Sequence, residues 1–246
     1  MFSSLLPIPA AGVYYAFEKS DFVGQAIVIF LLFGSVFTWT IMIEKGIFLF
    51  RCKKMSELFM LLMKRRRRLP DMYRESKNDA SPLACVYKAG MDKLMEFYSA
   101  SSEDLLLGTE QYQARKLTDI QNEAVRIALE REVSNQIEAM DKRIGMLATV
   151  VSACPFFGLL GTVWGIMIAF VSMAAQGRAE VGGLAPGISG ALLCTVTGMI
   201  VAIPSMIGYN LLSINIRRMT VHLDNFVEEF MARVNLEQLE ADKAQK

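Results

Sequence analysis

Charge and apolarity are segregated along this chain, and that segregation constrains its fold more than any other feature. No Asp, Glu, Lys, Arg or His occurs from Phe22 to Ile43, from Met146 to Gln176, or from Val181 to Ile216. About 20 apolar residues cross the hydrocarbon core of a bilayer, so each run is long enough to span it. A soluble core helix rarely sustains such a run. The expected fold is an all-α membrane protein with three transmembrane helices, even though the 246 residues include 26 Lys or Arg and 25 Asp or Glu.

The net charge of +1 decides little, but its distribution sets an expected orientation. Nineteen of the basic residues fall between Glu44 and Gly145. The segment before the first span has only Lys19, and the link between the second and third spans only Arg178. Basic loops stay in the cytoplasm. The chain then divides into an outer lead-in (1–21), a first span (22–43), a cytoplasmic helical loop (44–145), a second span (146–175), an outer link (176–186), a third span (187–214) and a cytoplasmic helical tail (215–246). The lead-in lacks signal-peptide features and contains Pro7 and Pro9, so it reads as the approach to an uncleaved first span. The cluster KRRRR at 64–68 reads as a juxtamembrane patch that holds topology or touches anionic lipid, not as a nucleic-acid site. Cys52, Cys85, Cys154 and Cys194 lack metal-ligand spacing and are expected to be free thiols.

The first helix is expected to continue past Glu44 until Pro70. Residues 70–82 read as a loop, 83–98 as a short amphipathic helix, and Ser99–Asp104 as a break. From Glu110 to Gly145 apolar side chains recur at Leu117, Ile120, Ala124, Ile127, Val133, Ile137, Met140 and Ile144. That spacing predicts an amphipathic helix running directly into the second span. The third span continues as Met219, Leu223, Phe226, Phe230 and Val234, again at steps of three and four. The second and third spans thus extend far into the cytoplasm.

An ionisable residue at membrane depth usually marks an ion path, and none of the three runs has one. The chain can at most line a path around a carboxylate supplied by something else. The polar residues present are small: Thr149, Ser152, Thr162 and Ser172 in the second span, Ser189, Thr195, Thr197 and Ser205 in the third. A Thr in a membrane helix most often bonds a carbonyl one turn back. Gly190, Cys194 and Gly198, spaced by four, read equally well as a packing seam. Pro155, Gly158 and Gly161 in the second span, and Pro186, Gly187 and Pro204 in the third, are expected to break up their helices. Carbonyls freed in that way must be buried in protein or meet water, which suits pore-lining spans. The first span looks the more lipid-facing. His222 lacks a second ligand nearby and reads as solvated rather than metal-bound. No enzyme motif, catalytic residue or cofactor site is apparent.

Two runs carry a resemblance. PFFGLLGTVWGIMIAF (Pro155–Phe170) and APGISGALLCTVTGMIVAIPSMIGYN (Ala185–Asn210) closely resemble signatures of the TolQ/ExbB/MotA family, and DNFVEEF (Asp224–Phe230) looks more like TolQ than ExbB. The resemblance implies a ring-forming subunit, a homopentamer in the bacterial inner membrane with a periplasmic N-terminus and a cytoplasmic C-terminus. It implies a proton-driven motor of the Tol-Pal or TonB type. In it, the pore holds a dimer of TolR- or ExbD-like single-span subunits bearing a membrane Asp, with a TolA- or TonB-like protein beyond. Membrane lipids are implied partners and nucleic acid is not. Thr162 and Thr195 match the two pore threonines and would face the partner's Asp.

One position departs from the pattern. The family has a Glu in the word that reads GISGAL here, and Gly190 takes its place. Thr197, seven residues on and near the same helix face, is expected to substitute in part for the lost polar group. Two other readings stay open at this point, a non-conducting membrane scaffold or partner-binding subunit and a MotA-like stator, although MotA-like chains usually have four spans.

Overall fold

The computed structural model describes residues 8–65, 68–98, 117–176 and 181–244. Several expectations lie wholly or partly outside them: the middle of the 64–68 cluster, the Ser99–Asp104 break, the first residues of the 110–145 helix, and Arg178 with part of its link. Among the described residues every regular element is helical. The order is α1 (Ile8–Lys19), α2 (Phe22–Arg65), a 3-10 turn (Leu69–Met72), α3 (Tyr73–Ser76), α4 (Pro82–Tyr98), α5 (Asp119–Asp141), α6 (Ile144–Gln176) and α7 (Val181–Ala244). Three helical stretches are long and apolar enough to cross a membrane, as the charge-free runs require. The protein is a multi-pass membrane protein.

Four expectations change. The lead-in contains a helix, α1. Pro9 sits in its first turn, where a missing N–H costs nothing, so proline there starts a helix. The 70–82 segment is not all loop, since the 3-10 turn and α3 bury Leu69, Met72 and Tyr73. The long amphipathic helix does not run straight into the second span. Lys142 leaves helical geometry and Arg143 adopts φ 73°. The Arg143 guanidinium is held by both carboxylate oxygens of Glu44, at 3.0 and 2.9 Å. Finally, the buried stripe of α5 is Val125, Leu129, Val133 and Met140, whereas Ile120 and Ile127 are exposed. The sequence-based stripe had slipped between 127 and 133. From Val125 the stripe steps by four to Val133 and then by seven to Met140.

The chain forms two compact units. The span unit comprises Met1–Glu44 and Arg143–Leu211, and the loop unit Lys45–Lys142 and Leu212–Lys246. In the span unit, Ile27, Val28 and Leu31 of α2 pack with Cys154 of α6 and with Cys194, Val201 and Ala202 of α7. Within one chain the second span buries the smallest share of its most apolar window (22%), the first 28% and the third 39%. The first span is therefore not the most exposed one in a single copy.

In the loop unit, Phe59, Tyr87 and Phe230 meet edge to face, with centroids 5.6 and 5.8 Å apart. Such pairs add about 1 kcal/mol beyond the area that they bury. Gly90 lets α4 approach this cluster closely, since a Cβ there would stand 2.6 Å from Leu129 and 2.9 Å from Phe230. The expected stripe of the third helix, Met219, Leu223, Phe226, Phe230 and Val234, is buried. Thr118 caps α5, its hydroxyl accepting from the Gln121 N–H while the Gln121 side chain accepts from the Thr118 N–H. At the other end of α5 the buried Lys45 ammonium donates to the carbonyls of Ala139 and Met140, where a cation complements the unpaired carbonyls and the helix dipole. Burial and the hydrogen bond that Tyr73 donates to Asp92 (2.6 Å) push the Tyr73 phenol above its ordinary range.

Candidate functional site: the glycine seam between α6 and α7

Helices attract each other in lipid mainly by close contact, so small residues mark where they meet. Along α6, Gly158, Gly161 and Gly165 present bare backbone to α7. A Cβ on Gly158 would lie 2.9 Å from the Cys194 carbonyl oxygen and 3.1 Å from the Thr195 Cα. On Gly161 it would meet the Cys194 side chain at 2.5 Å, and on Gly165 the Ala191 Cβ at 2.8 Å. From the other side, a Cβ on Gly198 would stand 2.8 Å from the Cys154 carbonyl, and one on Gly187 3.2 Å from Ala169. Most of these neighbours are backbone or Cβ atoms, which no rotamer change can move aside. The seam explains the spacing of small residues as packing.

Set into the seam is a pair of half-buried hydroxyls. Thr162 Oγ1 and Thr195 Oγ1 are hydrogen-bonded to each other. Thr162 also lies within donating distance of the Gly158 carbonyl (3.1 Å) and the Ala191 carbonyl (3.3 Å), and Thr195 of the Gly158 carbonyl (3.1 Å). Two hydroxyls hold only two protons, so at most two of these four bonds are donated at once. The remaining lone pairs stay available to an outside donor, and either proton can be redirected to an outside acceptor. The bond one turn back, to Gly158, is the ordinary one for a membrane threonine. The link across to the second threonine is what distinguishes this site.

The other expected residues are placed differently. Gly190 faces α1, where a Cβ would lie 2.3 Å from Ser20 Oγ and 3.1 Å from the Ala16 carbonyl. Thr197 is half buried and, two positions from Thr195, points to the other side of α7. Pro155, Pro186 and Pro204 sit inside continuous helix, so α6 and α7 carry on through them. A proline in a helix removes one donor without obliging the chain to leave the helix when packing holds it.

Two polar links escaped the sequence. Trp164 Nε1 donates to Asp21 Oδ2 at 2.7 Å, and the other oxygen of Asp21 accepts from the Gly24 N–H at 3.1 Å, which caps α2. An acid just outside the first charge-free run thereby reaches the second span, beside a cleft of about 260 Å³ lined by Ser20, Gly161, Gly165, Gly187 and Gly190. The pair Ser20–Asp21 could be read as a helix start, but nothing local names Trp164 as its partner. Deeper in the unit, the Ser205 hydroxyl, which also reaches the Val201 carbonyl at 2.7 Å, lies 3.0 Å from the Thr38 hydroxyl, and both residues are fully buried. All four cysteines are free.

Residues 81–225 match the model of the MotA/TolQ/ExbB proton channel family. The chain is 30% identical to the Tol-Pal system protein TolQ of Haemophilus influenzae over 220 residues, covering 87% of this chain and 90% of that protein. It is 32% identical to the biopolymer transport protein ExbB of Salmonella typhimurium over 200 residues (81% and 76%). It is 28% identical to TolQ of Pseudomonas aeruginosa over 218 residues (87% and 89%).

Proposed function

Since this chain belongs to the MotA/TolQ/ExbB proton channel family, we propose that it is the pore-forming shell subunit of a proton-driven motor in the bacterial inner membrane. Five copies form a ring with the N-terminus periplasmic and the C-terminus cytoplasmic. Its second and third spans enclose a dimer of single-span, TolR- or ExbD-like subunits whose membrane Asp carries the proton. A TolA- or TonB-like protein passes the resulting work to the outer membrane.

The observation that carries this reading is the coupled Thr162–Thr195 pair. A hydroxyl both donates and accepts, so the pair can bond a charged or a neutral carboxyl with equal ease. That property suits a lining past which an acid must be loaded, moved and unloaded. Gly158, Gly161 and Gly187 let the two helices come close, and Pro155, Pro186 and Pro204 are proposed as part of the same pore-lining faces. Gly190 and Thr197 face away from the pair in this geometry, and their part in ion movement is a secondary element of the proposal.

A non-conducting scaffold is the second reading. It is favoured by Gly190, which holds the tip of α1 where a polar side chain would otherwise stand. Co-expression with a single-span, Asp-bearing partner separates the two. The motor reading expects a complex of five copies around two partners, and Thr162→Ala or Thr195→Ala complexes that assemble normally but lose proton flux. Normal flux in both variants, or proton conduction by the purified chain alone in liposomes, would overturn it.

A further inference from the structure

The loop unit carries a polar groove that the seam does not use. It lies between α2 and α7 and begins as a cavity of about 270 Å³ whose walls include Leu49, Phe50, Lys53, Leu212, Arg218 and His222. A second hollow continues it, sharing Lys53, Met219 and His222 and adding Ser56, Glu57 and Lys64. Leu49, Phe50 and Leu212 line the first cavity, and Leu212 still belongs to the third charge-free run. Lys53 and His222 line both hollows, Arg218 the first and Lys64 the second, where Met60, Leu61 and Leu83 add apolar surface.

Ser56 supplies an independent sign of a missing ligand. It lines the second hollow, is 4% exposed, and its hydroxyl has no hydrogen-bond partner among the described residues. A helical serine normally satisfies itself on the carbonyl one turn back, as Ser134 and Ser205 do here. A buried hydroxyl left without a partner destabilises the fold that holds it. Among the described residues Glu57 is the only acid along the two hollows, and it stands 3.8 Å from Lys53, with both side chains largely in solvent. The groove therefore keeps an excess of positive charge beside an orphan donor and an apolar floor.

We propose that this groove binds an anionic phospholipid: its phosphate is held by Lys53, Arg218 and His222, its headgroup accepts from Ser56 Oγ, and its acyl chains lie along Leu49, Phe50 and Leu212. Phosphate with an apolar tail is the chemistry that matches both the basic and the apolar lining of the groove, whereas a free phosphate would leave the apolar lining unused. The proposal is independent of the motor reading and holds for a scaffold equally.

The test counts lipid on the full chain in its native oligomer, washed in detergent, by native mass spectrometry with dioleoylphosphatidylglycerol or dioleoylphosphatidylcholine as probe. The phosphatidylglycerol is expected to stay bound in preference. The pair Lys53→Gln with Arg218→Gln should weaken it about twenty-five-fold, two phosphate contacts at about fivefold each. Ser56→Ala should weaken it about fivefold. The charge-matched control, Arg51→Gln with Lys54→Gln, removes two exposed cations of α2 that do not line the groove, and should change binding less than about twofold. Equal losses in the control would reduce the effect to diffuse attraction, and equal binding of phosphatidylcholine would remove the anion requirement. Displacement of the lipid by millimolar inorganic phosphate would make the site one for a free anion. Each of these three results overturns the proposal.

Discussion

The two units are held together by opposite means. The loop unit is closed by large side chains, with Tyr73, Tyr87, Phe59, Phe226 and Phe230 among its fully buried residues. It also carries caps and ion pairs between helices, such as Arg126–Glu228 at 2.7 Å. The span unit is closed by the absence of side chains. Its α6–α7 contact runs through Gly158, Gly161, Gly165, Gly187 and Gly198, with hydroxyls as its polar links and broad apolar faces left outward. The difference follows from the solvent. In water, hiding apolar area drives association, so the bulkiest residues contribute most. In lipid the surroundings are as apolar as leucine, and what remains is close contact and hydrogen bonding between backbones brought near.

That contrast can be broken or sharpened by substitution. The largest effect is expected from Phe230→Ala, which empties the centre of the aromatic cluster and should cost the loop unit about 4 kcal/mol, read by thermal unfolding of the full chain in detergent. A loss below about 1 kcal/mol would show that large side chains do not close this unit. Gly158→Val should cost about 3 kcal/mol, because the added methyls meet the Cys194 carbonyl and Thr195 Cα and neither can turn away. Gly145→Ala, where a Cβ meets nothing within 4 Å, serves as the control and should leave the melt unchanged. Asp21→Asn removes the charge from the bond to Trp164 and should cost about 1 kcal/mol. In a Trp39→Phe background Trp164 is the sole tryptophan, so its emission reads the change directly, and an unaltered spectrum would show that the bond is not formed. Arg126→Gln, on a pair whose Glu228 side chain is 65% exposed, should cost less than about 0.5 kcal/mol. A larger loss would mean that surface charge closes the loop unit more than its core does.

The three spans were legible because charge exclusion is a property of composition and needs no knowledge of partners. The buried stripe of the last helix was legible for a similar reason, since Met219 to Val234 keep a regular step. Thr162 and Thr195 could be named from their motifs, but their mutual bond could not, because it depends on how close the glycines let two helices come. Asp21–Trp164 and Thr38–Ser205 join residues more than a hundred positions apart, and no local pattern encodes such pairs. The turn at Arg143 was hidden because the segment lacks proline and glycine. Arg143 takes φ 73° there, and its guanidinium meets both carboxylate oxygens of Glu44, a partner 99 positions away that no local pattern announces. In α5 the error had another cause: isoleucine at 120 and 127 looked like core, yet shape and partner, not hydropathy alone, decide which face is buried.

The single carbonyl of Gly158 has a mechanical consequence. It lies within reach of both threonines while its own Cα rests against the backbone of Thr195. Turning α6 about its axis would carry Thr162 and Gly158 together but would break the donation from Thr195 and press bare backbone into bare backbone. The two helices are thereby locked against independent rotation at this point.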